Sequence, residues 1–323
     1  MNIDTHCSDK GHLYAAKHDL YAAKHHVYDT NHHCRTALGK ATGLLSLALL
    51  LAAGASLTGC VKDELHNTPH PDKGAVVVQM DWSDLLPEAV ADSYILNVDG
   101  HEQTVSGSTN TVERLSEPGE HTLAVYNKPQ GITIDGDIAS VNGITDSRAV
   151  GDRVEPLPDY LFSVSETVVV EKDDTLRITA KPRQWIRQLD MELSVSEGDY
   201  KRIASITGAL SGVEQSVDIR KGERQGTAVT VRNDFAAAEE KCNASFRLMG
   251  IVPAEHQTLT VNIVFSNGET RTIESDLTPQ LAAFHNGNTP LTLTGSLSLP
   301  VEAGMAGSIS DWTVVDNGKI DIH

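Results

Sequence analysis

Leu57-Thr58-Gly59-Cys60 is the stretch whose residue types and order prescribe a covalent reaction. A leucine, two small residues and then a cysteine form a lipobox. The Cys60 thiol takes a diacylglyceryl group, and a signal peptidase that needs small side chains to reach the bond then cuts before it. The amine this frees can be acylated in turn. Each buried CH₂ contributes about 0.8 kcal/mol, so two or three chains anchor firmly where one binds reversibly. Elsewhere chemistry is sparse. The chain has no His-Glu-x-x-His, no Gly-x-Ser-x-Gly elbow, no Walker loop and no Gly-rich dinucleotide turn. The histidines after Cys60 never recur at metal-ligand spacing. Cys242 reads as a small core residue, and Asp135-Gly136-Asp137 lacks the rest of a calcium loop. The expectation is a non-catalytic chain with no cofactor and no metal.

The elements that would present Cys60 to its enzymes lie just before it. Arg35 and Lys40 form a charged region, followed by a largely apolar run from Leu44 to Ala53 and the small residues before the cut. This is the layout of a secretory signal peptide, and the run is well short of the roughly twenty residues a spanning helix needs. Residues 1–59 are therefore expected to be removed. Their first part is a dispensable leader of loose heptads that begin at Leu13, Leu20 and Val27, and it holds seven of the chain's fourteen histidines. Residues 60–73 form the lipidated tether, in which Pro69 and Pro71 favour an extended backbone.

The 323 residues include 26 Lys and Arg against 44 Asp and Glu, a formal net charge of −18. Nucleic acid needs a cationic footprint, so it is not an expected partner. Beyond the tether, β-branched runs of period two follow one another: Gly74–Trp82, Ser93–Val98, His121–Tyr126, Thr167–Glu171 and Asp174–Ala180. A second set covers Leu189–Val195, Ser216–Arg220, Thr227–Val231, Asn243–Met249, the hairpin Leu259–Ile273, Leu291–Leu299 and Ser308–Val315. Asp99-Gly100 and Asn267-Gly268 read as tight turns. Only Ser275–His285 suggests a helix, with Thr278 as cap and Pro279 at its first position. The fold class is all-β, with two tandem antiparallel β-sandwich domains at residues 74–183 and 184–323, parted near Lys181-Pro182-Arg183. Gly131–Pro158 shows little periodicity and reads as a long loop, functional or disordered. Trp82 and Trp312 end apolar strands and read as core residues; exposed, either could stack on a sugar.

The whole of residues 60–323 resembles the fimbrillin-type surface lipoproteins of Bacteroidales, most nearly their anchor-subunit branch. The resemblance rests on the lipobox, the Pro-rich spacer, Gly74-Ala-Val-Val-Val78 with Asp81-Trp82, Tyr126-Asn-Lys-Pro129, Pro158-Asp-Tyr-Leu-Phe162, Gly208-Ala-Leu-Ser-Gly212, Ser275-Asp-Leu277 and Gly307-Ser-Ile-Ser-Asp-Trp312. Lys62-Asp63-Glu64 after the lipidated cysteine resembles the Bacteroidetes signal that sends lipoproteins to the outer face of the outer membrane. The resemblance implies transthyretin-like sandwiches and a place at the base of a fimbrium, with fimbrial subunits as partners joined by β-strand addition. In that family an Arg-specific protease removes the first strand of stalk subunits. Here no arginine lies between Cys60 and Arg114, so that cut cannot fall in the opening strand. The His-rich leader matches no part of the family pattern, and Lys319–His323 is a short alternating tail that either donates to a neighbour or closes the last sheet. A glycan-binding surface lipoprotein and a fimbrial tip adhesin are the alternative readings.

Overall fold

A computed structural model of the protein describes residues 72–144, 153–300 and 306–315. The segments read above as leader and signal peptide, and the C-terminal Lys319–His323, lie outside them.

The regular structure of the described chain is nearly all strand. Strand β1 (Ala75–Met80) buries Val76, Val78 and Met80 on one face, as its period-two pattern requires. It runs parallel to β10 (Thr175–Ala180) and antiparallel to β4 (Thr109–Thr111) in a three-stranded sheet. A second sheet has the order β11-β9-β5-β2-β3, built from β2 (Tyr94–Val98), β3 (His101–Val105), β5 (Gly119–Tyr126), β9 (Phe162–Val170) and β11 (Arg183–Gln184). Asp99 and Gly100 join β2 to β3 with φ of 50° and 88°, the positive pair a two-residue hairpin turn demands.

Two five-stranded sheets come next. In one, β12 (Arg187–Glu197) lies between β18 (Lys241–Leu248) and β21 (Leu291–Ser298), with β17 (Ala236–Ala238) and β22 (Ser308–Val315) at the edges. In the other, β13 (Ile203–Glu214) lies between β19 (Thr258–Phe265) and β16 (Ala228–Asp234), with β20 (Thr270–Asp276) and β8 (Arg153–Val154) outermost. Antiparallel pairing dominates, and β1/β10, β12/β21 and β8/β16 run parallel. Leu189, Leu193, Phe246, Leu259, Ile263 and Leu293 are fully buried within one hydrophobic core that continues back to Val76.

Two expectations need correction. The segment 131–158 is not simply loop. Ile132–Asp135 (β6) and Ile138–Val141 (β7) form a hairpin around Gly136, and β7 pairs with β14 (Ser216–Asp218), which pairs with β15 (Glu223–Arg224). With β8 pairing β16, this stretch supplies strands to sheets whose other members follow residue 184. Four-residue strands are too short to show a period, and their ladder partners lie far along the chain. The helix is also much shorter than predicted. Ser275 and Asp276 are drawn into the β19–β20 ladder, leaving only α1 (Thr278–Leu281). Leu277 is its N-cap residue, Pro279 is its second residue rather than its first, and Asp276 Oδ1 accepts the Thr278 N–H at 2.9 Å. The Thr278 hydroxyl instead accepts the Gln257 N–H at 3.0 Å.

Candidate functional site

The best-built feature at the start of the described residues is the slot that holds β1. Its start is pinned by exposed ion pairs, Lys172 with Asp72 and Lys73 with Glu117, the latter at 2.7 Å. Gly74 then exchanges both backbone hydrogen bonds with Ser116, each 2.9 Å. Only a glycine fits there: a Cβ would stand 2.3 Å from the Glu171 carbonyl oxygen and 2.4 Å from Val170 Cγ1. The backbone is then held on both flanks. Ala75 N–H donates to Asp174 O at 2.9 Å and Val112 N–H to Val76 O at 2.9 Å. Met80 N–H donates to Ser108 O at 2.7 Å and Asp81 N–H to Ala180 O at 2.9 Å. At the far end Trp82 closes the slot edge-on against Tyr94 and Phe162, with centroids 5.4 and 5.3 Å away.

Burying Val76, Val78 and Met80 stabilises the strand by about 1.5–3 kcal/mol per side chain before ordering costs are subtracted. Main-chain bonds on two sides plus pockets for alternate side chains are what a strand-binding groove supplies. Here the groove is filled by the chain's own first strand. Arg114, the first arginine after Cys60, sits exposed in the loop after β4 and contacts His101. A cleft of about 180 Å³ beside the slot is lined by Lys73, Asp99, Arg114, Leu115, Glu117 and His121. Within it, His121 Nδ1 donates to Asp99 Oδ2 at 2.5 Å and Nε2 donates to the Glu117 carbonyl at 2.6 Å. Both ring nitrogens act as donors, so the imidazole is held as imidazolium. Its pKa is raised, chiefly by the Asp99 hydrogen bond, and that of Asp99 is lowered, chiefly by His121.

Among the described residues β22 is an edge strand, paired on one side with β21. Its exposed residues include Val314 and Val315. An unpaired strand edge is a template for addition of another strand.

Leu57, Thr58, Gly59 and Cys60 lie outside the described residues, as do Lys62, Asp63 and Glu64. The other singled-out residues have structural employment. Trp312 is half-buried and its Nε1 donates to Ser275 Oγ at 2.7 Å. Cys242 is buried, and burial pushes its thiol pKa up. Asp137 accepts from Arg220 Nε at 2.8 Å, so the Asp135-Gly-Asp137 turn is a braced hairpin. The partners of β1 went unread in sequence because β10 lies a hundred residues away; the close packing of Gly74 left no signal but the glycine itself.

No protein-family model matches the chain, and no curated protein matches it. Solved structures do. A proposed adhesin of Bacteroides ovatus superposes with a TM-score of 0.55 at 15% identity, covering 79% of this chain and 98% of that one. The fimbrial anchor protein Mfa2 of Porphyromonas gingivalis matches at 0.50 with 12% identity, covering 75% and 97%. The chain has the fold of these two proteins. A proposed cell adhesion protein of Bacteroides eggerthii shares it as well, at 0.51 and 10% identity over 77% of this chain and 97% of that chain. The fimbrillin-type resemblance read from the residues is thus borne out as a fold, at identities that carry the fold alone.

Proposed function

We propose that this chain is a non-catalytic anchor or accessory subunit of a fimbrium, tethered to the outer membrane through acyl chains on Cys60 and joined to neighbouring subunits by strand addition. The observation that carries the reading is β1. It fills its own groove, hydrogen-bonded on both sides, and follows the lipobox cysteine with no arginine until Arg114. An Arg-specific cut therefore cannot part β1 from the tether within the first strand, and the lipid stays joined to a closed fold. That suits a base subunit, whereas a stalk subunit must surrender this strand to open its groove. The fold shared with Mfa2, a fimbrial anchor protein, supports the same role. Lys62-Asp63-Glu64 would then direct the protein to the outer face of the membrane. We read residues 74–183 and 184–323 as the two sandwiches that carry the load, with β6, β7 and β8 reaching from the first into the second.

Trp82 and Trp312 are half-buried and packed against the core, which weighs against the glycan-binding alternative. Replacing Cys60 by Ala in the native host tests the anchor reading. Fimbriae are expected to be shed into the medium, and fibres that remain attached would overturn it.

A further inference from the structure

The fold gathers three guanidinium groups from three strands of a chain whose net charge is −18. Arg183 opens β11, Arg187 opens β12 and Arg224 ends β15. The buried Trp185 ring is the platform: Arg183 lies 4.5 Å and Arg224 5.6 Å from its centroid. Backbone carbonyls hold the other contacts. Arg187 donates to Thr289 O at 2.6 Å and to Phe284 O, and Arg224 Nε donates to Met249 O at 3.3 Å. His285 joins them, its Nε2 accepting the Ile251 N–H at 3.1 Å, which places the ring proton on Nδ1. Gly250 lets the group close up, since a Cβ there would lie 2.6 Å from both Arg224 Nε and His285 Nε2.

Among the described residues none of these arginines forms an ion pair. The carboxylate that acts on Arg224 is Glu214, which is buried and already accepts the N–H groups of Gly226 and Thr227 at 3.1 and 3.2 Å. Most of the guanidinium donors, five per arginine, therefore have no protein acceptor among the described residues and stay open to solvent, since none of their nitrogens is buried without a partner. The charges act on one another and on His285. Burial first, then Arg224, Arg183 and Arg187, depress His285 to about 4. Burial first, then Arg183, brings Arg224 down to about 10. Between Arg183, Arg187, Arg224, His285 and Asn288 lies a cleft of about 30 Å³. That is room for about two water-sized groups, the two oxygens of one carboxylate. Guanidinium groups bind carboxylates in this forked manner. Trp185, Met249 and Phe284 also line the cleft, apolar neighbours that suit the methylene stem of an Asp or Glu side chain better than the hydroxylated ring of a sugar acid.

We propose that this arginine cleft is a receptor for one carboxylate on an unbranched stem, the side chain of an aspartate or glutamate on a protein partner. The inference does not depend on the fimbrial reading.

The test is titration of the detergent-solubilised full chain, in chloride-poor buffer, with the N-acetyl N-methylamide of glutamate, followed by the arginine Nε–Hε nuclear magnetic resonance signals. Saturable shifts of Arg183, Arg187 and Arg224 are expected, together with a rise of the His285 titration midpoint as the bound anion offsets the guanidinium field. Arg224→Gln should weaken binding about tenfold, the worth of one charge-assisted hydrogen bond. Arg183→Gln, at an exposed position, repeats the test should the first variant fold poorly, and Arg271→Gln should leave binding intact. Shifts that do not saturate, an equal response to chloride or to methyl glucuronide, or unchanged binding in both cleft variants would overturn the proposal.

Discussion

His121 shows how one side chain can couple this fold to pH. Its side chain is only 12% exposed, while that of Asp99 is 47% exposed, so water screens the pair from one side. The folded-state pKa of His121 is raised above the ordinary value of about 6.5. Its contribution is therefore complete below that value and is lost as pH climbs through the raised one. Asp99 works in the opposite direction: its pKa is lowered, so its share is present above about 4 and is lost as pH falls through the folded value. His121→Gln should accordingly cost most between about pH 4 and 6.5, by no more than about 1 kcal/mol for so exposed a partner. Urea unfolding of both proteins across pH checks this. A difference that grows above neutral pH would contradict the assignment.

At the scale of elements, the slot of β1 depends on close backbone approach rather than on side-chain bulk alone. Gly74→Ala would force its new methyl into the Glu171 carbonyl and Val170. Overpacking of this kind costs about 1–3 kcal/mol, and because β1 has ladder partners on both sides the loss should spread to β4 and β10. Hydrogen exchange should find the amides of all three strands less protected in the variant. Unchanged protection would mean that the start of β1 is not what pins the sheet.

Across the whole molecule, the strands between residues 132 and 154 decide whether the two proposed sandwiches, the halves of the body, unfold as one. Ala139 on β7 is fully buried and sits opposite Val217 on β14, and Val154 on β8 sits opposite Val231 on β16. Sheets that share strands from both halves should melt together, so calorimetry is expected to show one transition for the body. Ala139→Asp, which buries a charge in that seam, should either lower this transition or split it in two. Two well-separated transitions in the unaltered protein would show that the seam does not couple the halves.

Much of this architecture was legible from residue order. β1, β2, β10, β12, β18 and β22 follow from β-branched alternation, and the Asp99-Gly100 turn follows from the need for two positive φ angles, because both signals are local. The proposed lipobox, Leu57–Cys60, rests on a local signal too, since a peptidase would read four adjacent residues. β13 was hidden because Gly208 and Gly212 break its pattern. Gly208 lies beneath the Phe235 ring, where a Cβ would be 2.5 Å from Cε2, and Gly212 sits at a bulge with φ of 70°. The parallel partner of β1, the crossing of β7 and β8 into distant sheets, and the gathering of Arg183, Arg187, Arg224 and His285 were decided only by tertiary structure. Strand pairing and charge proximity are contacts across sequence separations of tens of residues, and nothing in a local run of side chains records which distant run will lie beside it.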